Sequence, residues 1–152
     1  MKQALLLALF IFAGLLSTSI QSIAQHPPSD SICDSYKTYY SIEEAMKEPL
    51  NVQKLDLSMQ KLTVVPPEIT QFENLVCLDL SFNRISTLPA SFSSLKKLEC
   101  LNLMGTRYMS KLPVVVSNIP NLKILDISDH PEWAAATYAE ASKLLPNVTI
   151  IK

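Results

Sequence analysis

Four polar residues recur at near-constant spacing: Asp56, Asp79, Asn102 and Asp126. Two positions after each come Ser58, Ser81, Met104 and Ser128, and two positions before each come Lys54, Cys77, Cys100 and Ile124. Residues two apart in an extended chain share a face. The three sets therefore form columns on one surface wherever the four segments stand side by side. Carboxylates stacked in a column repel one another and favour a cation between them, which points to Lys or Arg from a partner. The plainer alternative is a solvated strand residue repeated with its segment. Calcium suits the column badly, because carboxylates on a sheet face do not wrap an ion. Cys77 and Cys100 fall on equivalent positions, so adjacent strands would hold their Cα atoms ~4.8 Å apart, within disulfide range. Parallel side chains strain such a bridge. Two half-exposed free thiols are therefore expected first, and a Cys77–Cys100 bridge second. A nucleophilic cysteine needs a base within hydrogen-bond reach. His26 lies near the N-terminus and His130 leaves a different segment, so neither serves.

The elements that position these columns are repeats. VQKLDLS from Val52, LVCLDLS from Leu75, LECLNLM from Leu98 and LKILDIS from Leu122 align on Leu55, Leu78, Leu101 and Leu125, with steps of 23, 23 and 24 residues. A divergent fifth strand, VTIIK, starts at Val148. Each of the first three segments is followed by a Val-Pro or Leu-Pro step at 65–66, 88–89 or 112–113. Apolar anchors come next: Ile69 and Phe72, Phe92 and Leu95, Val116 and Ile119. The spacing predicts strands that stack into a short parallel sheet with a leucine ladder behind it. The proline steps turn the chain back and the anchors close each coil. One coil cannot bury its own leucines, so neighbours and end covers are obligatory.

Both covers are legible. Ser41-Ile42-Glu43-Glu44 is a capping box that opens a helix over 41–48, stopped by Pro49. Pro131 suits a first helical position, with Glu132 at the positive end of the dipole. That predicts a second helix before a last strand, together spanning 131–152, with the repeats at 52–130. Residues 25–40, with Pro27-Pro28, read as a mobile linker. Residues 1–24 have a positive start at Lys2, an apolar run over 4–16, and small residues at Ser22 and Ala24. That pattern predicts a cleaved signal peptide and a secreted or periplasmic chain, with an uncleaved N-terminal anchor as the alternative. In an oxidising space an odd cysteine count leaves at least one thiol outside any internal bridge.

The period, the LxxLxLxxN frame and the Leu-Pro step resemble the leucine-rich repeat family, in particular its 23-residue bacterial and plant-intracellular Ras-group-like class. The resemblance covers Ser41 to Lys152. It implies an α/β solenoid with a parallel sheet on the concave face, an irregular 3-10 convex side, and a non-enzymatic scaffold that binds through the concave sheet. Asn83 fills the family's asparagine position, whereas Gln60, Thr106 and His130 replace it elsewhere. The third repeat carries one extra residue around Arg107–Lys111.

Composition narrows the function further. Thirteen Lys and Arg against fourteen Asp and Glu argue against a protein that tracks nucleic-acid phosphates. Two glycines cannot build a phosphate-cradling loop. Two histidines and three cysteines leave little material for a metal centre. No catalytic residue, metal or cofactor is therefore expected, and no membrane span after signal cleavage. The expected partner is a protein or peptide, basic if the acidic column is the site. The expected contact residues are Lys54, Asp56, Ser58, Met59, Asp79, Ser81, Phe82, Asn102, Met104, Asp126 and Ser128. The face also carries Glu99, Lys123 and Asp129, which leaves it net acidic, and the three serines stand ready to turn hydroxyls outward. Phe82 and Met59, with Tyr108, form either an exposed apolar rim or packing against the next repeat. Val114 and Val115 mark either a convex contact patch or a shift caused by the extra residue. A structural or envelope-associated role without a discrete ligand, and an enzyme accessory subunit, are the alternatives to a binding module.

Overall fold

The computed structural model describes residues 32–152. The expected signal segment at 1–24 and residues 25–31 lie outside the described part. Strands β2 (Lys54–Asp56), β3 (Cys77–Asp79), β4 (Cys100–Asn102) and β5 (Ile124–Asp126) stand side by side in chain order, all parallel. β1 (Thr38–Tyr39) flanks β2, and β6 (Thr149–Ile151) flanks β5. The register sets Leu55, Leu78, Leu101, Leu125 and Ile150 in one row. Leu55, Leu78, Leu101 and Leu125 are buried, as are Leu57, Leu80, Leu103 and Ile127 one pleat further on. This is the α/β solenoid that the leucine spacing predicts, its sheet on one side and its coil returns on the other.

The returns are 3-10 turns at Pro67–Gln71, Ala90–Ser94 and Val114–Asn118. Each follows a proline (Pro66, Pro89, Pro113) whose extended backbone delivers the chain to the turn. Their anchors Ile69, Phe72, Phe92, Leu95, Val116 and Ile119 are buried in the leucine core. Val114 is exposed while Val115 packs against that core, which removes Val115 from the expected patch. The extra residue of the third repeat is absorbed just upstream. Tyr108 turns outward and Met109 drops fully into the core where Ile85 sits one coil earlier.

Asn83 stitches two coils together. Its Oδ1 accepts the Leu62 N–H at 2.9 Å, and its Nδ2 donates to the carbonyls of Leu57 and Leu80 at 2.8 and 2.9 Å. The substitutes cover only part of this pattern. Thr106 Oγ1 donates to the Leu103 carbonyl at 2.7 Å, and His130 Nε2 lies 3.1 Å from the same oxygen. Asn74 and Asn121 add stitches on the return side, donating to Leu50 and Lys96 carbonyls.

Three expectations are corrected at the ends. The expected linker does not extend over residues 32–40. Tyr39 is buried in the core, Thr38–Tyr39 pairs with β2, and Cys33 is bridged to Cys77. The exposed edge of β2 and the open end of the leucine ladder both need a cover, and this segment supplies it. Helix α1 (Ile42–Ala45) is a single turn rather than a helix over 41–48. Ser41 Oγ accepts the Glu44 N–H at 3.1 Å, while Glu44 reaches back to the Tyr40 N–H at 3.2 Å. Pro49 then starts a 3-10 turn. At the other end, Pro131 lies in a turn and α2 (Ala135–Leu144) begins four residues later. Trp133 is the reason. It is buried, stacks on His130 at 4.3 Å between ring centres, and donates its indole N–H to the Met109 carbonyl. The helix can start only after that ring has closed the core. Among the described residues no helix is long and apolar enough to cross a membrane.

Candidate functional site

The strands end because each column residue captures the backbone two positions on. Asp56, Asp79, Asn102 and Asp126 each accept, through Oδ1, the N–H of Ser58, Ser81, Met104 and Ser128 at 2.8–2.9 Å. Side chains with a short polar arm favour this local turn. The next residue then enters the left-handed region, with φ of 58° at Met59, 53° at Phe82, 63° at Gly105 and 56° at Asp129. Repetition of the aspartates thus has a backbone reason. Asn102 serves the turn as well as a carboxylate does, so the turn does not require the charge. Three of four coils nonetheless carry it.

The column lies in a shallow hollow of about 200 Å³ on the concave side. Lys54, Asp56, Asp79, Asn102 and Asp126 line it together with Cys33, Cys77, Cys100 and Ile124. Asp56 and Asp79 are half-buried and Asp126 is only 9% exposed. Asn102 Nδ2 bonds Asp79 Oδ2 at 2.9 Å. The Asp79 carboxyl is nonetheless raised above its ordinary range, chiefly by burial and further by repulsion from Asp56, against the opposing bonds from Ser81 and Asn102. A raised carboxyl binds its proton more tightly folded than unfolded, so the folded chain loses stability as pH rises through that window. Compared with Asp79→Asn, which has no proton to bind, the native chain should gain stability as pH is lowered through the carboxylate range. The pH dependence of the difference between the two urea midpoints measures this. A flat difference would mean that the site is better solvated than the geometry indicates.

The outer charges behave differently. Glu99 pairs with Lys123 at 2.8 Å, and Asp129 pairs with Arg107 at 3.2 Å. Arg107 comes from the loop after β4 and carries no columnar signal in the sequence. The expected serine hydroxyls are mostly committed or covered. Ser81 is buried and Ser128 Oγ donates to Asp126 at 2.6 Å, which leaves the half-buried Ser58. Met104 is half-buried on the same face. Met59 and Tyr108 stand exposed at the rim. The Phe82 ring lies so close over Gly105 that a Cβ there would meet it at 2.6 Å, yet Phe82 stays 44% exposed. It is both packed on the next repeat and presented to solvent.

The cysteine column differs from both expectations. Cys77 is bridged to Cys33, with Cα atoms 6.1 Å apart, and Cys100 is free but buried. Burial first, and then Glu99, push the Cys100 thiol up to about 11. Neither expected arrangement of Cys77 and Cys100 occurs, because residues 32–36 cross the concave face. Ile32, Cys33 and Tyr36 cluster with Val76, Cys77, Cys100, Ile124 and Ile151. This small apolar strap is distinct from the leucine core. The signal for it was Cys33 itself, the one cysteine outside the repeats.

A sheet of in-register leucine coils with one polar concave face and capped ends defines a solenoid-type recognition scaffold. Residues 51–107 match the family model described as Leucine rich repeat, which supports the leucine-rich repeat family for these coils; members of that family are typically non-enzymatic binding modules. The chain is similar to a solved leucine-rich repeat protein of Leptospira interrogans, with 26% identity over 62% of this chain and a TM-score of 0.45. The chain spans 30% of that protein's length. No curated protein matches the chain.

Proposed function

We propose that this is an exported, non-enzymatic leucine-rich repeat module whose concave hollow takes a protein or peptide through a Lys or Arg side chain. The observation that carries it is the charge arrangement. Asp56, Asp79 and Asp126 converge on one hollow with Lys54 at its edge, while the outer acids Glu99 and Asp129 already have basic partners. A cation entering the hollow would offset the repulsion between Asp56 and Asp79. Met59 and Phe82 add apolar contact at the rim, where aromatic anchors are effective. The narrow sheet limits the contact area, so binding should be weak to moderate. Export is supported by the signal-like residues 1–24 and by the Cys33–Cys77 disulfide, which suits an oxidising space.

The test uses random peptides displayed against the native protein. Enriched peptides should carry Lys or Arg, and their binding should weaken with salt as screening shortens to ~8 Å. The double variant Asp56→Asn/Asp126→Asn retains the strand-ending turns, as Asn102 does natively. It should bind the enriched peptides about tenfold more weakly, mainly through slower association. Enrichment indifferent to charge, or undiminished binding by the double variant, would remove the acidic hollow as the site.

A further inference from the structure

Counting residues gave little material for a metal centre, yet folding collects all three cysteines. The Sγ atoms of Cys33, Cys77 and Cys100 lie within 4.8 Å of one another, and all three residues are buried. We propose that, once the Cys33–Cys77 bridge is reduced, these cysteines form a three-thiolate site for one soft cation, with Cu(I) as the ion that suits it. The three cysteines line the same hollow as Asp56, Asp79 and Asp126, but the site takes its ligands from sulfur alone.

Metal–sulfur bonds of about 2.3 Å place three sulfurs around a single ion about 4 Å apart. Cys77 and Cys100 are paired in register on adjacent strands, so the sheet fixes both. Cys33 precedes β1 and is outside the sheet. Breaking the bridge therefore lets Cys33 move to the required distance without disturbing a strand. The surroundings select the ion. Val76, Ile124, Ile32, Tyr36 and Ile151 make an apolar shell, and the neighbouring column acids are engaged with backbone N–H groups. Three thiolates beside these apolar side chains favour a soft, low-coordinate ion over a hard one.

The chemistry balances. A dithiol reductant gives two electrons and two protons to the Cys33–Cys77 bond and itself becomes a disulfide. Cu(I) then binds the thiolates, and the thiol protons it displaces pass to solvent.

The reduced full-length chain, held without oxygen, is titrated with Cu(I) against a chromophoric Cu(I) chelator. One ion per chain should bind, at least about tenfold more tightly than to reduced Cys100→Ser, a variant that leaves the bridging pair and the strands in place. The melting temperature of the reduced chain should rise on binding, and the oxidised chain should take no ion at this affinity. Equal affinity in Cys100→Ser, absence of binding by the reduced chain, or a melting temperature lowered by Cu(I) would each overturn the site. The last outcome would mean that the ion holds the unfolded chain.

Discussion

Leu101→Ala should lower the unfolding free energy by about 2–5 kcal/mol and shift the whole transition rather than fray one end. Leu101 is 2% exposed and lies mid-row, between Leu78 and Leu125. Its loss opens a cavity that neither neighbour can fill without leaving its own register. Solenoid stability is roughly a sum of coil and interface contributions. With few coils here, one damaged coil weakens the interfaces on both sides. Total stability of an ordinary domain is only about 5–15 kcal/mol, so the loss is a large share of it. Val114→Ala, on the exposed side of the same solenoid, should change stability by about 0.5 kcal/mol or less. Urea denaturation of the two variants separates the cases. An unshifted midpoint for Leu101→Ala would mean that the leucine register is wrong.

The register was legible because period two on a strand leaves little freedom. Once Leu55, Leu78, Leu101 and Leu125 are aligned, every neighbour's face follows. The column of Asp56, Asp79, Asn102 and Asp126 followed from the same rule. What was not legible depended on contacts distant in sequence. Nothing near Thr38–Tyr39 announces a strand, because β1 is only two residues long and exists by pairing with β2. Trp133 reads as part of an Ala-rich helix until Met109, displaced by the extra residue, offers its carbonyl. Ser81 looks available until its coil closes over it. The aspartates gave a column but not their turn-forming bonds, which need the backbone to bend first. Cys33 read as part of a proline-bearing linker because composition describes a segment and not its partner.

Cys33→Ser should be about 2–4 kcal/mol less stable than the bridged chain whether or not a dithiol is present, whereas the native chain should lose a similar amount only when a dithiol is added. The bridge closes a loop with a sequence separation of 44, for which restriction of the unfolded chain is worth up to about 4 kcal/mol. The strap cluster is separate from the leucine core, and Tyr39 belongs to the latter. The folded solenoid should therefore survive the loss, with residues 32–36 the first to lift. What then holds β1 is Tyr39 burial together with Glu48, which accepts from Lys37 at 2.6 Å and from Tyr39 Oη at 2.7 Å. The Lys37 bond, with those from Asn51 and Tyr39, keeps the Glu48 carboxyl down at about 2. A depressed carboxyl contributes stability that is complete above its unfolded pKa of about 4.5 and lost as pH falls toward 2. In Cys33→Ser, the protection of β1 amides relative to their intrinsic exchange should consequently fall across that interval, while that of β3 and β4 stays high. In the bridged chain the same acidification should leave β1 protected to a lower pH. Equal β1 protection in both chains throughout the interval, with no loss of unfolding free energy in Cys33→Ser, would show that the strap adds nothing to the cover of the ladder.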